Sequence, residues 1–514
     1  MTHPPAAHRV ARHTTLSLLG FIVPLGIAVV AIPVAARALG PARFGLLGLA
    51  WATVEYLGFF DMGLSRATVR FVADSLARAA RDVRQIVAVS LTFQLGAGLL
   101  AGLAVWVLAP VALGLLSIPA DLRPEANAMF RVVAVNVALV LAMNGLRGVL
   151  EGAQRFDLAV ALRIPASAAA TVIPAVGAVF GATLPQILWL VFAARLVVVA
   201  ALFAAVPRAI PTFRWEAPRE WVRLRQLLGY SGWLAVSGFA NALLVNFDRF
   251  ALAAIAGVAA VGFYTAPYEG ATRLLLVSAS MFAALFPALA ATEALADRAR
   301  TTRLLESALR QSALVLAPLV AVLVVFAPGI LRLWVGSAFA DEAGLALRIL
   351  AIGVLFNALA HVPSVFLYAA SRPDLPARLH LAELVFHVPL TLLLIQRFGI
   401  TGAAIAWTLR VAVDATGLAL FTRHLGGWQI GTSGRSLWLR AFAVVAMFVL
   451  VLLIAAAVAD ASLPIASVLV AVAAVGAVWV AWSTALGPQE RAAWLGMLWR
   501  RPGAGGTDLP RPSR

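Results

Sequence analysis

Cysteine is absent from this chain, which excludes disulfides, thiolate metal sites and a cysteine nucleophile, and leaves the redox compartment unreadable. Lysine is absent too: all 40 basic residues are arginines. A codon-usage bias that also favours alanine is the plain account of that. The sharper one is a demand for planar, permanently charged guanidinium groups that grip phosphate with two hydrogen bonds. Charge of either sign is scarce, at 12% of residues, against about 25% in an ordinary soluble domain. Also missing are a phosphate-binding glycine loop ending in Lys-Ser/Thr, paired carboxylates in an extramembrane segment and a nucleophile elbow. Nothing here is equipped to hydrolyse ATP; neither enzymatic activity nor a cofactor is expected.

What remains is apolar: 62% of 514 residues. Windows of about 20 apolar residues, the length that crosses about 30 Å of hydrocarbon, recur fourteen times, at 16–36, 44–62, 86–109, 128–150, 158–180, 184–206, 228–256, 262–290, 308–333, 343–370, 374–396, 399–422, 437–458 and 462–484. The chain reads as an all-α integral membrane protein. Its formal charge of +17 does not point to nucleic acid, because the arginines are scattered between apolar runs with no arm, zinc module or basic and aromatic stripe. Instead they alternate. Twenty-nine lie at the N terminus or after even-numbered spans, and five after odd-numbered ones. By the positive-inside rule both termini are expected in the cytoplasm of a bacterial inner-membrane protein. "VAARALG" resembles a signal-peptidase site, but the preceding run is long enough to span and the charge alternation needs it retained. The linkers 61–85 and 207–227 are expected to be basic amphipathic segments on the cytoplasmic leaflet.

The chain also repeats itself at an offset of 217 residues. "LGPARFGLL" from Leu39 pairs Gly40 with Gly257 and Gly45 with Gly262, and "AQRFDL" from Ala153 pairs Arg155 with Arg372 and Asp157 with Asp374. Six spans separate equivalent elements, so both copies face the same way and should form two bundles about an axis along the membrane normal. The expected organisation is a six-helix lobe 1–206, a linker 207–227, a second six-helix lobe 228–424, two further spans within 425–486, and a tail 487–514.

Charges inside spans are expensive, about 2.5–3.5 kcal/mol each on insertion scales. The segment "YTAPYEGATRLLLVSAS" keeps Glu269 and, one turn later, Arg273. An ion pair within one helix returns only about 0.2–0.5 kcal/mol, so either the pair lines an aqueous cavity or other groups complete its hydrogen bonds. Glu55, one residue from the repeat equivalent of Arg273, is a candidate to face it across a cleft, either as a proton carrier or as a neutral carboxyl bonded in the bundle. Asp248 and Arg249 end span seven and Arg37 ends span one; each is a secondary candidate for substrate contact or an interfacial anchor. Arg195 in span six and the pair Arg410 and Asp414 in span twelve read as bundle-stabilising. Glu383 and His387, with His361 on span ten, read as a polar cluster or proton relay rather than a metal site.

"ARALGPARFGLLGLAWATVEYLGFFDMGLSRATVRFVA", "GAQRFDL", "VNFDRFALAAIAGVAAVGFYTAPYEG" and "GITGAAIAWTLR" resemble signature stretches of the polysaccharide biosynthesis flippases in the multidrug/oligosaccharidyl-lipid/polysaccharide exporter superfamily, over roughly 9–423. The resemblance implies a two-lobed transporter that carries undecaprenyl-pyrophosphate-linked oligosaccharide to the outer leaflet by alternating access. It further implies that spans one, two, seven and eight wall the cavity and that Arg273 meets the pyrophosphate. The partners to expect are a polyprenyl-pyrophosphate-linked glycan, membrane lipid and polysaccharide assembly proteins, with coupling to a proton or sodium gradient. The alternatives are a multidrug or cation antiporter of the same superfamily and, less in keeping with an outer loop no longer than 110–127, a membrane-embedded polymerase or ligase.

Overall fold

The computed structural model describes residues 6–61, 63–78, 82–211, 213–426 and 432–459, with a few isolated positions beyond; side chains are described from Val23 onward, with gaps chiefly at 228–237 and 279–284. Among the described residues, ten helices are long and apolar enough to cross a membrane. The count of crossings is higher, because two helices contain a reversal. Helix α1 (Ala6–Leu57) turns at Gly40 (φ 71°, ψ 168°), and α12 (Asp374–His424) turns at Gly399 (φ 54°, ψ −126°). Between them come the amphipathic α2 (Leu64–Ala77), then α3 (Val83–Gly114), α4 (Arg123–Gly152), α5 (Phe156–Val179), α6 (Leu184–Ala209), α7 (Val222–Ile255), α8 (Val258–Thr272), α9 (Leu275–Ala294), α10 (Arg298–Trp334) and α11 (Ser337–Ala369); α13 (Thr432–Ala459) follows α12. Helices α8 and α9 are one crossing broken at Arg273 and Leu274. The expected spans one to thirteen are thus accounted for, whereas span fourteen and the tail lie outside the described residues. The fold is all-α, with two six-helix lobes related by the internal repeat.

The repeat is visible in the backbone itself. Gly257 (φ 89°, ψ 167°) adopts nearly the conformation of Gly40 at the equivalent reversal. Gln154 (φ 59°) and Ser371 (φ 58°), also 217 apart, are two of the three non-glycine positive-φ residues described. Immediately after each, an arginine clamps an aspartate with two hydrogen bonds: Arg155 to Asp157 at 3.0 and 3.0 Å, Arg372 to Asp374 at 3.0 and 3.1 Å. A left-handed residue costs an ordinary side chain about 1–2 kcal/mol, and the charged fork just beyond it fixes the turn in both lobes.

The lobes meet across a pseudo-two-fold axis. A Cβ on Gly45 would lie 1.8 Å from the Val258 carbonyl oxygen, and one on Gly262 would lie 2.0 Å from the Pro41 carbonyl oxygen. Pro41 and Val258 are themselves repeat equivalents, so the contact is reciprocal, as in a symmetric dimer. Only glycine admits this approach. Around it, on the face of the odd-numbered loops, one apolar core draws residues from both lobes, including Phe44, Met129, Tyr264, Phe339 and Trp407. Towards the face of the even-numbered loops the lobes keep separate cores, one around Val87, Leu150 and Val206 and the other around Leu305, Phe366 and Leu418. A small patch, Leu64 and Ala67 against Leu227, rests the start of α7 on α2.

The two linkers are built differently. Helix α2 is amphipathic, burying Leu64, Ala67, Thr68, Val72 and Ser75 along one side. The linker 207–227 runs without helix from 213 to 220. Specific partners hold it there: Trp215 stacks on Phe203 (centroids 3.8 Å apart), and Glu216 accepts from Arg84 at 2.9 Å and from Gln85 at 3.1 Å. The Arg84 and Gln85 hydrogen bonds hold the Glu216 carboxyl below its usual range.

Candidate functional site

Helices α7 and α8 bring their polar residues together where the lobes meet. Successive turns of α8 carry Tyr264, Tyr268 and Glu269, and then Arg273 at the point where the helix breaks into a tight turn, with Leu276 N–H bonded to the Arg273 carbonyl at 3.2 Å. From α7, Arg249 donates its Nη2 to Glu269 Oε1 at 3.1 Å, while Arg273 Nη2 donates to Glu269 Oε2 at 2.7 Å. One carboxylate therefore serves two guanidinium groups. The Arg249 guanidinium also lies over the Tyr268 ring, 4.6 Å from its centroid. Asp248 accepts from the backbone N–H of Arg249 at 2.8 Å and from the Tyr264 hydroxyl.

The members differ in access. The Arg249 side chain is 1% exposed and that of Arg273 33%, so Arg273 is the more accessible of the two guanidiniums. Glu55, on the second half of α1, is exposed and lies within electrostatic range of Asn246, Arg249, Glu269 and Arg273. The cluster thus gathers three carboxylates (Glu55, Asp248, Glu269) and two guanidiniums. Arg273 is thus neutralised by Glu269 on one side while a third of its side chain remains exposed.

Several expectations from sequence need correction. Asp248 and Arg249 are not interfacial anchors, since both are buried in protein, at 0% and 1% exposure. Arg37 is not part of the cluster: its Nη2 caps the end of α10, donating to the carbonyls of Leu333 (2.7 Å) and Trp334 (3.0 Å), while Trp334 Nε1 returns a bond to the Val29 carbonyl (2.7 Å). It ties together the odd-loop ends of the two lobes. Glu383 and His387 lie elsewhere, buried within the second lobe between the two halves of α12. There Arg410 is matched not with Asp414 but with Glu383, Nη1 to Oε2 at 3.9 Å, while Asp414 lies 3.4 Å from His380 Nε2. His361 bonds the Asn357 carbonyl one turn back, at 2.8 Å, and is not brought to that cluster by any hydrogen bond.

Asn246, Tyr264 and Tyr268 belong to the site and were not singled out from sequence. A signal existed: the chain has only five tyrosines, and two stand one turn apart immediately before Glu269. Apolar context made them look like core.

The profile of the family described as "Polysaccharide biosynthesis protein" matches residues 10–293. A putative O-antigen transporter of Shigella flexneri is 27% identical over 418 residues, 80% of this chain and 98% of that protein. Among solved structures, an inward-facing multidrug resistance transporter of the multidrug and toxin extrusion family superposes with a TM-score of 0.69 at 15% identity, covering 80% of this chain and 94% of its own. The lipid II flippase MurJ in an inward closed conformation gives 0.67 at 13% identity, covering 92% and 99%. These two likenesses are of fold. The profile, by contrast, takes in more than half of the sequence, including spans one to seven, α8 and the Glu269–Arg273 pair, and on that ground the chain belongs to the polysaccharide biosynthesis protein family.

Proposed function

We propose that this protein is a flippase that carries a polyprenyl-pyrophosphate-linked oligosaccharide, with undecaprenol as the lipid, from the cytoplasmic to the outer leaflet of a bacterial inner membrane. The observation that carries the reading is Arg273: a half-exposed guanidinium at a helix break between two lobes, with Glu269 on one side only. A pyrophosphate is the anion such a group suits, because guanidinium and phosphate oxygens form strong charge-assisted bonds. The sugars would occupy the cleft while the polyprenyl chain stays in lipid. Family membership and the similarity to an O-antigen transporter support a glycan cargo.

Alternating access is the accompanying proposal. The lobes share a core on the odd-loop face and keep separate cores on the other; with the even loops and both termini in the cytoplasm, as their arginines require, the cleft faces inward. Cargo then crosses when the Gly45–Gly262 contact and the Arg37 cap open. A proton or sodium gradient would drive the cycle, with Glu55 as the carboxylate placed to exchange a proton in the cleft and Glu383 and His387 as a buried pair in the second lobe. Polysaccharide assembly proteins would receive the cargo outside.

Arg273→Ala should accumulate lipid-linked sugar on the cytoplasmic leaflet at unchanged protein abundance; normal surface polysaccharide in that strain would defeat the reading. Glu55→Gln should flatten the pH dependence of transport in vesicles, and an unaltered pH profile rejects its proton role. A second reading, a cation or drug antiporter, draws on the cluster's three carboxylates against two guanidiniums. It predicts that Arg273→Ala keeps surface polysaccharide intact while cation efflux depends on Glu55.

A further inference from the structure

The interiors of the two lobes differ at positions related by the repeat. In the second lobe the Trp407 indole fills the centre: it is 1% exposed, meets Tyr268 edge to face at 5.7 Å, and lies where a Cβ on Gly353 would be 2.5 Å from its ring. The first-lobe counterparts of Tyr268 and Gly353, 217 residues earlier, are Trp51 and Asn136. Between these two lies a cavity of about 20 Å³, whose lining includes Val54, Ala170, Val191 and Arg195 as well.

Arg195 enters this cavity from α6 and donates its Nη1 to Asn136 Oδ1 at 3.0 Å. Asn136 is held in turn by its own Nδ2 bond to the Val132 carbonyl at 3.0 Å, so its oxygen is aimed at the guanidinium. A neutral amide orients a guanidinium without cancelling its charge. Among the described residues the side-chain partner of Arg195 is this amide and no carboxylate forms an ion pair with it, whereas Arg410 in the second lobe has Glu383 beside it and Asp248 within electrostatic range. Nor can the head-group region compensate: Arg195 lies 11 residues into α6, roughly 16 Å from the helix start at 1.5 Å per residue, which is beyond the reach of one side chain. A permanently charged group in so apolar a place needs a mobile counter-ion.

We propose that this cavity is a binding site for a single halide, chloride in the cell, held by the Arg195 guanidinium between Trp51, Val54 and Ala170. The size suits a small ligand: a space of about 20 Å³ exceeds the roughly 10–15 Å³ that one water requires and admits a monatomic anion. The site is lined only by first-lobe residues of α1, α4, α5 and α6, whereas Arg273 ends α8, and it stands whether or not the cargo reading does. Its role is to neutralise the first lobe, a task that Glu383 performs by covalent attachment in the second.

The test uses the purified full-length protein in detergent, with its thermal unfolding followed in sodium chloride or bromide against sodium gluconate at constant ionic strength. The midpoint should climb with halide, and above half-saturation each tenfold rise in halide should multiply the folding constant about tenfold, as binding to the folded state alone demands. Ala170→Leu, which fills the cavity and keeps the cation, and Arg195→Gln, which keeps most of the volume and removes the charge, should each abolish that dependence. Equal midpoints for the wild-type protein in halide and gluconate, or a dependence that survives in both variants, overturns the proposal. Crystals grown in bromide decide the matter without a variant: an anomalous peak in contact with the Arg195 guanidinium supports the site, and a water at that place with no anomalous signal overturns it.

Discussion

The two lobes have the same skeleton and different charges. Gly40 and Gly257, Gln154 and Ser371, and the Arg155–Asp157 and Arg372–Asp374 forks match in backbone conformation or in hydrogen-bond geometry across the repeat. The membrane-embedded charges do not match. Asp248, Arg249, Glu269 and Arg273 of the candidate site all come from the second lobe, and the first contributes Glu55. Inside the bundles, Arg195 has an amide for a partner and Arg410 a carboxylate. A duplicated membrane fold is constrained at its turns and at its axis, where backbone meets backbone. Its interior polar residues are free to diverge, because each needs only local satisfaction.

That contrast can be broken experimentally, and the largest effect should come from the cations inside the two bundles. Arg410→Leu leaves Glu383 and Asp248 buried beside no guanidinium at that position, so it should destabilise the protein by about 3–5 kcal/mol, the usual cost of orphaning one partner of a buried pair. Arg195→Leu removes a charge that has no carboxylate partner and should cost far less. Denaturant unfolding of both variants in detergent measures the difference, and equal losses would show that the asymmetry has no energetic meaning.

The axis should respond symmetrically. Gly45→Ala and Gly262→Ala each drive a methyl into the facing carbonyl, and each should cost about 1–3 kcal/mol, as overpacking does, with the two values agreeing. If alternating access opens this contact, a single cysteine introduced beside it in this cysteine-free chain should react faster with a membrane-impermeant thiol label from the odd-loop face in both variants. Markedly unequal losses would argue against a reciprocal contact. The smallest effect belongs to the turns: Gln154→Gly and Ser371→Gly relieve a left-handed residue, and each should stabilise by up to about 1 kcal/mol, less the backbone entropy that glycine adds. The same denaturation curves, compared between the two variants, check that the turns are equivalent.

Much of this was legible in the sequence because it is written locally. Runs of apolar residues set the crossings, the alternation of arginine set their expected direction, and "RFDL" with "RPDL" marked equivalent turns. The candidate site was half legible. Glu269 and Arg273 are one turn apart and announce each other, whereas Arg249, the second cation on Glu269, stands twenty residues away in another helix. Arg37, judged from its place near a helix end, proved to be a cap on α10, a role that depends on an element nearly 300 residues later. Arg410 was matched with the wrong acid because Asp414 is its neighbour in sequence and Glu383 its neighbour in space.

The sequence by itself determined that this chain is a membrane-spanning, duplicated, all-helical protein, since hydrocarbon thickness and helix rise fix how long an apolar run must be and like turns require like residues. Only the tertiary structure decided which charges share a partner, which guanidinium is the more exposed, and that the first lobe places a cation beside a cavity where the second places a tryptophan. Electrostatic satisfaction in a low-dielectric interior is settled over a few ångströms, and those distances are set by how helices cross, not by how far apart their residues stand along the chain.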